Sequence, residues 1–136
     1  MLQLANILFS KGFSITIIHT TSNSPNPSNY PHFNFSCIQD NLSETESSAT
    51  DLLNFIVALN VKSVEPFKEC VGKLLKSDVS EELVSCLISD ALCYFTQAVA
   101  DSLQLPRIVL RTGGLSSFLA FTTFPLLREK GYVPIQ

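Results

Sequence analysis

The residue best placed by its neighbours to do chemistry is Asp90. It closes the apolar run Val84, Cys86, Leu87, Ile88 and precedes an amphipathic stretch that begins at Ala91. A carboxylate in that position has two uses. It caps a helix starting near Ala91 by accepting hydrogen bonds from the first free amides, or it orients a histidine base, as the aspartate of a Ser-His-Asp arrangement does. The second use needs an imidazole, and His19 and His32 are the only two histidines. His19 ends the strand-like run FSITIIHT, a place typical of a hydrogen-bonded structural histidine, and His32 lies in a proline-rich loop. Neither spacing supplies the tight geometry a base requires. Phosphate loops of the GxGxxG or GxxxxGK[ST] type and GxSxG nucleophile turns do not occur. Cys37, Cys70, Cys86 and Cys93 contain no CxxC pair, so they read as reduced, buried thiols and not as zinc ligands; no metal is expected.

The elements that must position Asp90 run from Val84 to Thr112 as strand, helix, strand. The first strand spans Val84 to Ser89 and the second is Ile108, Val109 and Leu110. Between them Phe95, Ala98, Val99, Ser102 and Leu103 fall at helical spacing, with Gln97, Asp101 and Gln104 opposite. A crossover of this kind is right-handed and makes the strands parallel. Ligands collect beyond the carboxyl ends of such strands, where both Asp90 and Thr112 fall.

The rest of the chain supports this unit. Leu4, Ile7 and Leu8, flanked by Met1, Ala5 and Phe9, form the apolar face of a first helix that Lys11-Gly12 stops. No cap precedes it, which points to sequence upstream. Phe13 to Thr20 is a strand expected to be buried on both faces. A loop with Pro25, Pro27 and Pro31 follows, then an edge strand in which Phe33, Phe35 and Cys37 alternate with Asn34 and Ser36, then a polar surface stretch from Gln39 to Thr50. From Asp51 to Lys76 the period is helical, with Val57, Val64, Val71, Leu53, Phe67 and Leu74 on one continuous stripe. Pro66 in a helix interior would cost about 3 kcal/mol, so a kink or two consecutive helices is expected near Glu65. After Gly113-Gly114, Phe118, Phe121 and Phe124 recur every three residues; as a core stripe they bury, and Pro125 bends or breaks their helix. The order of elements marks an α/β fold with a mostly parallel sheet.

Composition narrows the function. The 136 residues suit one domain with a core of its own, and 46% apolar against 15% charged residues is an apolar balance for that size. A net charge of -3 with scattered lysines and arginines offers no stripe for nucleic acid. No run approaches a membrane span of about 18 residues, and MLQLANILFSKGF lacks the basic start and cleavage site of a signal peptide. A cytoplasmic location is expected.

Taken together, MLQLANILFSKGFSITIIHT, PNPSNYPHFNF, VSCLISDALCYFTQAVADSLQLPRIVLRT and LLREKGYVP closely resemble the amino-terminal domain of plant family-1 UDP-glycosyltransferases, in the same order along nearly the whole chain. The resemblance implies a GT-B architecture of two Rossmann-like halves, the first holding a small-molecule acceptor and the second a UDP-sugar co-substrate, with no other cofactor. It implies that residues 1–136 are a partial acceptor-binding domain without the UDP-sugar domain. The family's base is a histidine in a Gly-His-x-x-Pro turn, a motif these 136 residues do not hold, and the aspartate that orients it matches Asp90. In that mechanism the histidine removes the acceptor hydroxyl proton, the oxygen attacks the anomeric carbon with inversion, and UDP leaves. The acceptor wall corresponds to Thr112, Gly113, Ser117 and Phe121, and Gly113-Gly114 stand where related enzymes often carry hydroxyl residues.

In the family's 3-2-1-4-5 strand order the absent first strand is the central one. Phe13–Thr20 and Val84–Ser89 then pair directly, leave a gap, or leave edges open to aggregation. The expected function is that of a family member whose 136 residues are inactive alone. The alternative is a non-catalytic α/β module that binds an apolar molecule at Phe118, Phe121 and Phe124, or associates with an intact relative.

Overall fold

The computed structural model describes residues 1–43, 52–76 and 83–132. Helix α1 (Leu2–Ser10) ends as its sequence requires. Gly12 takes φ +89°, its amide bonds to the Phe9 carbonyl at 2.9 Å and the Phe13 amide to Leu8 at 3.2 Å, which together form a Schellman stop. Strand β1 (Thr16–Thr20) pairs in parallel with β2 (Asn34–Ile38), Thr16 opposite Asn34 and Thr20 opposite Ile38. The loop between them is tied back to α1 by an aromatic group. Phe33 stacks on Tyr30 at 5.6 Å and meets Phe9 edge-on at 6.0 Å, while His32 Nε2 lies 3.1 Å from Asn6 Oδ1.

The helical stretch divides into α2 (Leu52–Lys62) and α3 (Val64–Lys76). Pro66 thus sits in the first turn of a new helix, where its missing amide costs little. Strand β3 (Leu87–Asp90) pairs in parallel with β4 (Arg107–Leu110) across helix α4 (Phe95–Ser102). Helix α5 (Leu115–Glu129) follows and continues through Pro125.

Among the described residues β1-β2 and β3-β4 are two separate two-stranded sheets, not one. Of the three arrangements open to the sequence, the strand pairs stand apart. One core nevertheless serves both. Ile38 of β2, Phe67 and Val71 of α3, and Phe95 and Val99 of α4 form a buried cluster, with Ile18 of β1 and Leu87 of β3 packed against it. Helices α3 and α4 therefore do the joining that strand ladders would otherwise do.

Several expectations change because of this. β1 has no buried residue and is half-buried at best, since helices cover it incompletely. In β2 the buried positions are Phe33, just before the strand, and Ile38; Cys37 faces solvent and is not a buried thiol, while Ser36 turns to Cys70 on α3 at 3.2 Å. The apolar stripe does not cross Ser63, where α2 gives way to α3: Phe67 and Val71 are buried, but Leu53 and Val57 are exposed. On α4 the inward face is Phe95, Thr96, Val99 and Ala100, leaving Ala98 and Ser102 outside. Phe118, Phe121 and Phe124 are not a core stripe: α5 buries no residue. Asp51, most of the stretch from Gln39 to Thr50, Ser77 to Glu82 and the last four residues lie outside the described residues.

Candidate functional site

Asp90 ends β3 directly opposite Leu110, the last residue of β4, and the Ala91 amide continues the ladder to the Leu110 carbonyl at 3.1 Å. Its Oδ1 accepts a hydrogen bond from the Leu92 amide at 2.8 Å, and its carbonyl accepts one from Cys93 at 3.1 Å. This is an Asx turn closed over a backbone turn. The helix-capping role expected for Asp90 is therefore corrected. Helix α4 starts at Phe95, five residues on, with Tyr94 at its N-cap and no cap from Tyr94's side chain. Asp90 shapes the turn that leads to the helix, and its carboxylate remains partly exposed at the strand end.

Beneath the turn lies a polar group that the sequence reading missed. Ser89 and Thr96 are buried, and Arg107 Nε donates to both hydroxyl oxygens, at 3.0 and 2.8 Å. The Thr96 hydroxyl donates to the Cys93 carbonyl at 2.6 Å, and Arg107 Nη1 donates to Gln97 Oε1 at 2.8 Å. A guanidinium fork is suited to such shared recognition. Strand β3, the turn, α4 and β4 are thus laced together around one arginine. Burial pushes the Cys93 thiol up, the Asp90 charge adds to the rise, and the Arg107 charge partly opposes it. A second residue that sequence reasoning missed is Asn60, buried in α2 and hydrogen-bonded to the same turn.

The histidines go elsewhere. His19 Nδ1 lies 3.0 Å from the Thr20 carbonyl with its ring edge-on to Phe35, and His32 is engaged by Asn6. Neither has Asp90 among its hydrogen-bond partners. The ends of β1 and β2 are joined instead by Asp40, a buried carboxylate that accepts from Ser22 Oγ at 2.6 Å, the Ser22 amide at 3.2 Å and the Thr21 hydroxyl at 3.2 Å. Burial alone would raise its pKa, but these bonds and one from the Leu42 amide outweigh it and hold the carboxyl below its ordinary value. Asp40 falls within the stretch the sequence marks as polar surface, yet it is buried; its one signal in the sequence is its place after an apolar strand.

Thr112 and Gly113 occupy the connection from β4 to α5, with Ser117 in the first turn of α5 and Phe121 one turn further on the same side. All four are exposed. Beside them the Arg111 guanidinium sits 4.8 Å from the Phe118 ring centre, a cation-π contact. Neither glycine there is required by backbone strain: Gly114 is extended at φ -64°, and a Cβ on Gly113 would meet nothing within 4 Å. A hydroxyl-bearing side chain would fit at 113 without rearrangement. A shallow concavity of about 680 Å³ is lined by Phe124, Pro125, Arg128 and Glu129 toward the far end of α5, and none of the candidate site residues lines it. Among the described residues no cluster of His, Cys, Asp or Glu is arranged to hold a metal, and no helix is long and apolar enough to cross a membrane.

Comparison with known proteins gives the arrangement its context. No family model matches the chain. It is 52% identical over 136 residues to UDP-glycosyltransferase 76B1 of Arabidopsis thaliana, covering 100% of this chain and 30% of that protein. It is 45% identical to UDP-glycosyltransferase 76C1 of the same plant, and 44% identical to UDP-glycosyltransferase 76G1 of Stevia rebaudiana, again over 30% of each. The chain thus spans about 30% of the length of the curated relatives it matches. Among solved structures it resembles apo UGT2 of Phytolacca americana, with a TM-score of 0.74 over 93% of this chain at 18% identity. It also resembles Os79 of O. sativa in a complex with a trichothecene, with a TM-score of 0.71 over 93% of this chain at 18% identity. These likenesses establish the fold as part of a Rossmann-like GT-B half.

Proposed function

The chain belongs to the plant UDP-glycosyltransferases, and from that premise we propose that it forms the acceptor-side part of an inverting transfer from a UDP-sugar to a small-molecule hydroxyl. Asp90 is the orienting carboxylate in this reading. The observation that carries it is the placement of Asp90 at the end of β3, its Oδ1 fixed by the Leu92 amide at 2.8 Å while the carboxylate stays accessible. One oxygen engaged and the carboxylate reachable is what a partner imidazole needs.

The base in this reading is, as the family resemblance implies, a histidine outside these 136 residues; His19 and His32 bond to Thr20 and Asn6 and not to Asp90. That histidine takes the proton of the acceptor hydroxyl as the oxygen attacks the anomeric carbon; UDP departs on the opposite side and configuration inverts. Asp90 holds the imidazole in one tautomer and stabilises the imidazolium that forms. Thr112, Gly113, Ser117 and Phe121 form the wall against which the acceptor lies. UDP-sugar is the co-substrate; that a relative's complex contains UDP supports this. Four unpaired cysteines favour the cytoplasm as the compartment.

The test replaces the matching segment of UDP-glycosyltransferase 76B1 with this chain and measures transfer to the acceptor of that enzyme. We expect an active chimera whose kcat falls by roughly 10²–10⁴-fold in the Asp90→Asn variant. An active chimera indifferent to that change would refute the role of Asp90, and a folded but inactive chimera would refute the acceptor-side assignment. The isolated chain is expected to transfer no sugar; a product that disappears with Asp90→Ala would overturn this.

A second reading is favoured by the exposure of Phe118, Phe121 and Phe124 on α5. In it the chain is a non-catalytic module that holds an apolar molecule on that face or associates with an intact relative. Titration calorimetry with apolar aglycones, and co-purification with 76B1, would each show saturable binding; absence of both removes this reading.

A further inference from the structure

Asn60 is a buried amide in an otherwise apolar stretch of α2, 4% exposed, and each of its polar atoms is used. Nδ2 donates to the Ile56 carbonyl one turn back and to the Leu92 carbonyl, both at 2.8 Å. Oδ1 accepts the Phe95 amide at 2.9 Å. Phe95 is the first residue of α4, and Tyr94 before it supplies no side-chain cap, so a residue 35 positions upstream caps this helix.

The consequence falls on Asp90. Leu92 is held at both of its backbone groups: its amide donates to Asp90 Oδ1 and its carbonyl accepts from Asn60. Asn60 therefore grips the turn on the far side of the bond that orients the carboxylate. Arg107 and Thr96 support the same segment only from Cys93 onward and from β3. A Leu at 60 would fill the volume and leave the Leu92 carbonyl and the Phe95 amide without partners in a buried place.

We infer that Asn60 is the positioning residue for Asp90, acting through Leu92 to set the direction of the carboxylate. The inference rests on the reading that Asp90 orients a base, but its test does not pass through sugar transfer. In the ¹⁵N-labelled 136-residue chain, Asp90→Ala is expected to shift the Leu92 amide proton, because it removes the hydrogen bond the two share. In Asn60→Leu and in Asn60→Asp, which keeps an acceptor for Phe95 but loses the donors to Leu92, the amplitude of that shift should fall by at least about half. Val71→Ala, a core variant of α3, is the control for mere destabilisation and should keep the amplitude. Retention of the full Leu92 shift in a folded Asn60 variant, or equal loss in Val71→Ala, would overturn the inference.

If the Asn60 variants do not fold, the unaltered chain decides. Native-state hydrogen exchange should open the Leu92 and Phe95 amides together, with protection factors within about threefold of each other. Protection differing by more than tenfold would show that Asn60 and Asp90 hold independent segments. An inactive chimera with an intact Leu92 response would fault the proposed reaction and leave Asn60's role standing.

Discussion

The joint between the two strand pairs can be tested at a single contact. Phe67 of α3 and Phe95 of α4 meet edge to face, 5.4 Å between ring centres at 88°, and both are buried. Helix α3 packs on β2, and α4 connects β3 to β4, so this pair bridges units that share no strand ladder. Truncating either ring to Ala removes its burial and leaves a cavity, about 3–5 kcal/mol. Beyond burial, an edge-to-face pair contributes roughly 0.5–1.5 kcal/mol. A chain of 136 residues has a stability of about 7–20 kcal/mol at usual per-residue values, so one truncation takes a large share. The assay is urea unfolding followed by circular dichroism on Phe67→Leu, Phe95→Leu and the double variant, with Phe67→Ala as the severe case. The Leu cycle should give a coupling of about 1 kcal/mol, well above the roughly 0.3–0.5 kcal/mol scatter of independent sites. Phe67→Ala should also lower the m-value or split the transition, as each half begins to unfold by itself. Additive Leu variants together with an unchanged single transition in Phe67→Ala would refute the claim that this contact joins the halves.

Two further outcomes follow from the charged groups. Asp40 has a folded-state pKa below the ordinary 3.8, so its contribution is fully present above that value and is lost as pH falls through the lower, folded one; the stability gap between the wild type and Asp40→Asn should shrink between pH 6 and pH 3 in denaturant titrations. Cys93 should be alkylated more slowly than the exposed Cys37 at pH 8, and Asp90→Asn should lower the Cys93 pKa and speed its reaction, read by mass spectrometry of the labelled peptides; a Cys93 rate unmoved by that change would mean the Asp90 charge points elsewhere.

The sequence made the order of elements and the parallel β3-β4 crossover legible, because apolar period and glycine stops are local signals. Gly12 behaves as its position foretold. What local signals could not reach was whether a patterned face would find a partner. Phe118, Phe121 and Phe124 have the spacing of a core stripe, yet burial depends on a second surface, and among the described residues none covers them. The same limit explains β1, whose β-branched residues suit a central strand but are only half covered. Asp90 was found because its strand-end position is visible in one dimension. Asn60 and Arg107 were not, since their bonds to Leu92 and Thr96 span 32 and 11 residues. The helix-capping role for Asp90 failed for a local reason: the Asx turn inserts four residues before α4 starts.

The exposure of α5 bears on how such a protein changes over generations. On the reading proposed above, the residues that choose the acceptor, Thr112, Gly113, Ser117 and Phe121, contribute almost nothing to the buried cluster. Exposed substitutions away from such features alter stability by about 0.5 kcal/mol or less. Variation along this helix can therefore be sampled with the folding equilibrium nearly untouched, and selection meets each variant on its binding alone. The turn under Asp90 has no such freedom, because Asn60, Thr96 and Arg107 constrain it from three elements at once. On that reading, substrate choice is free to drift in a lineage while the orientation of the carboxylate stays fixed.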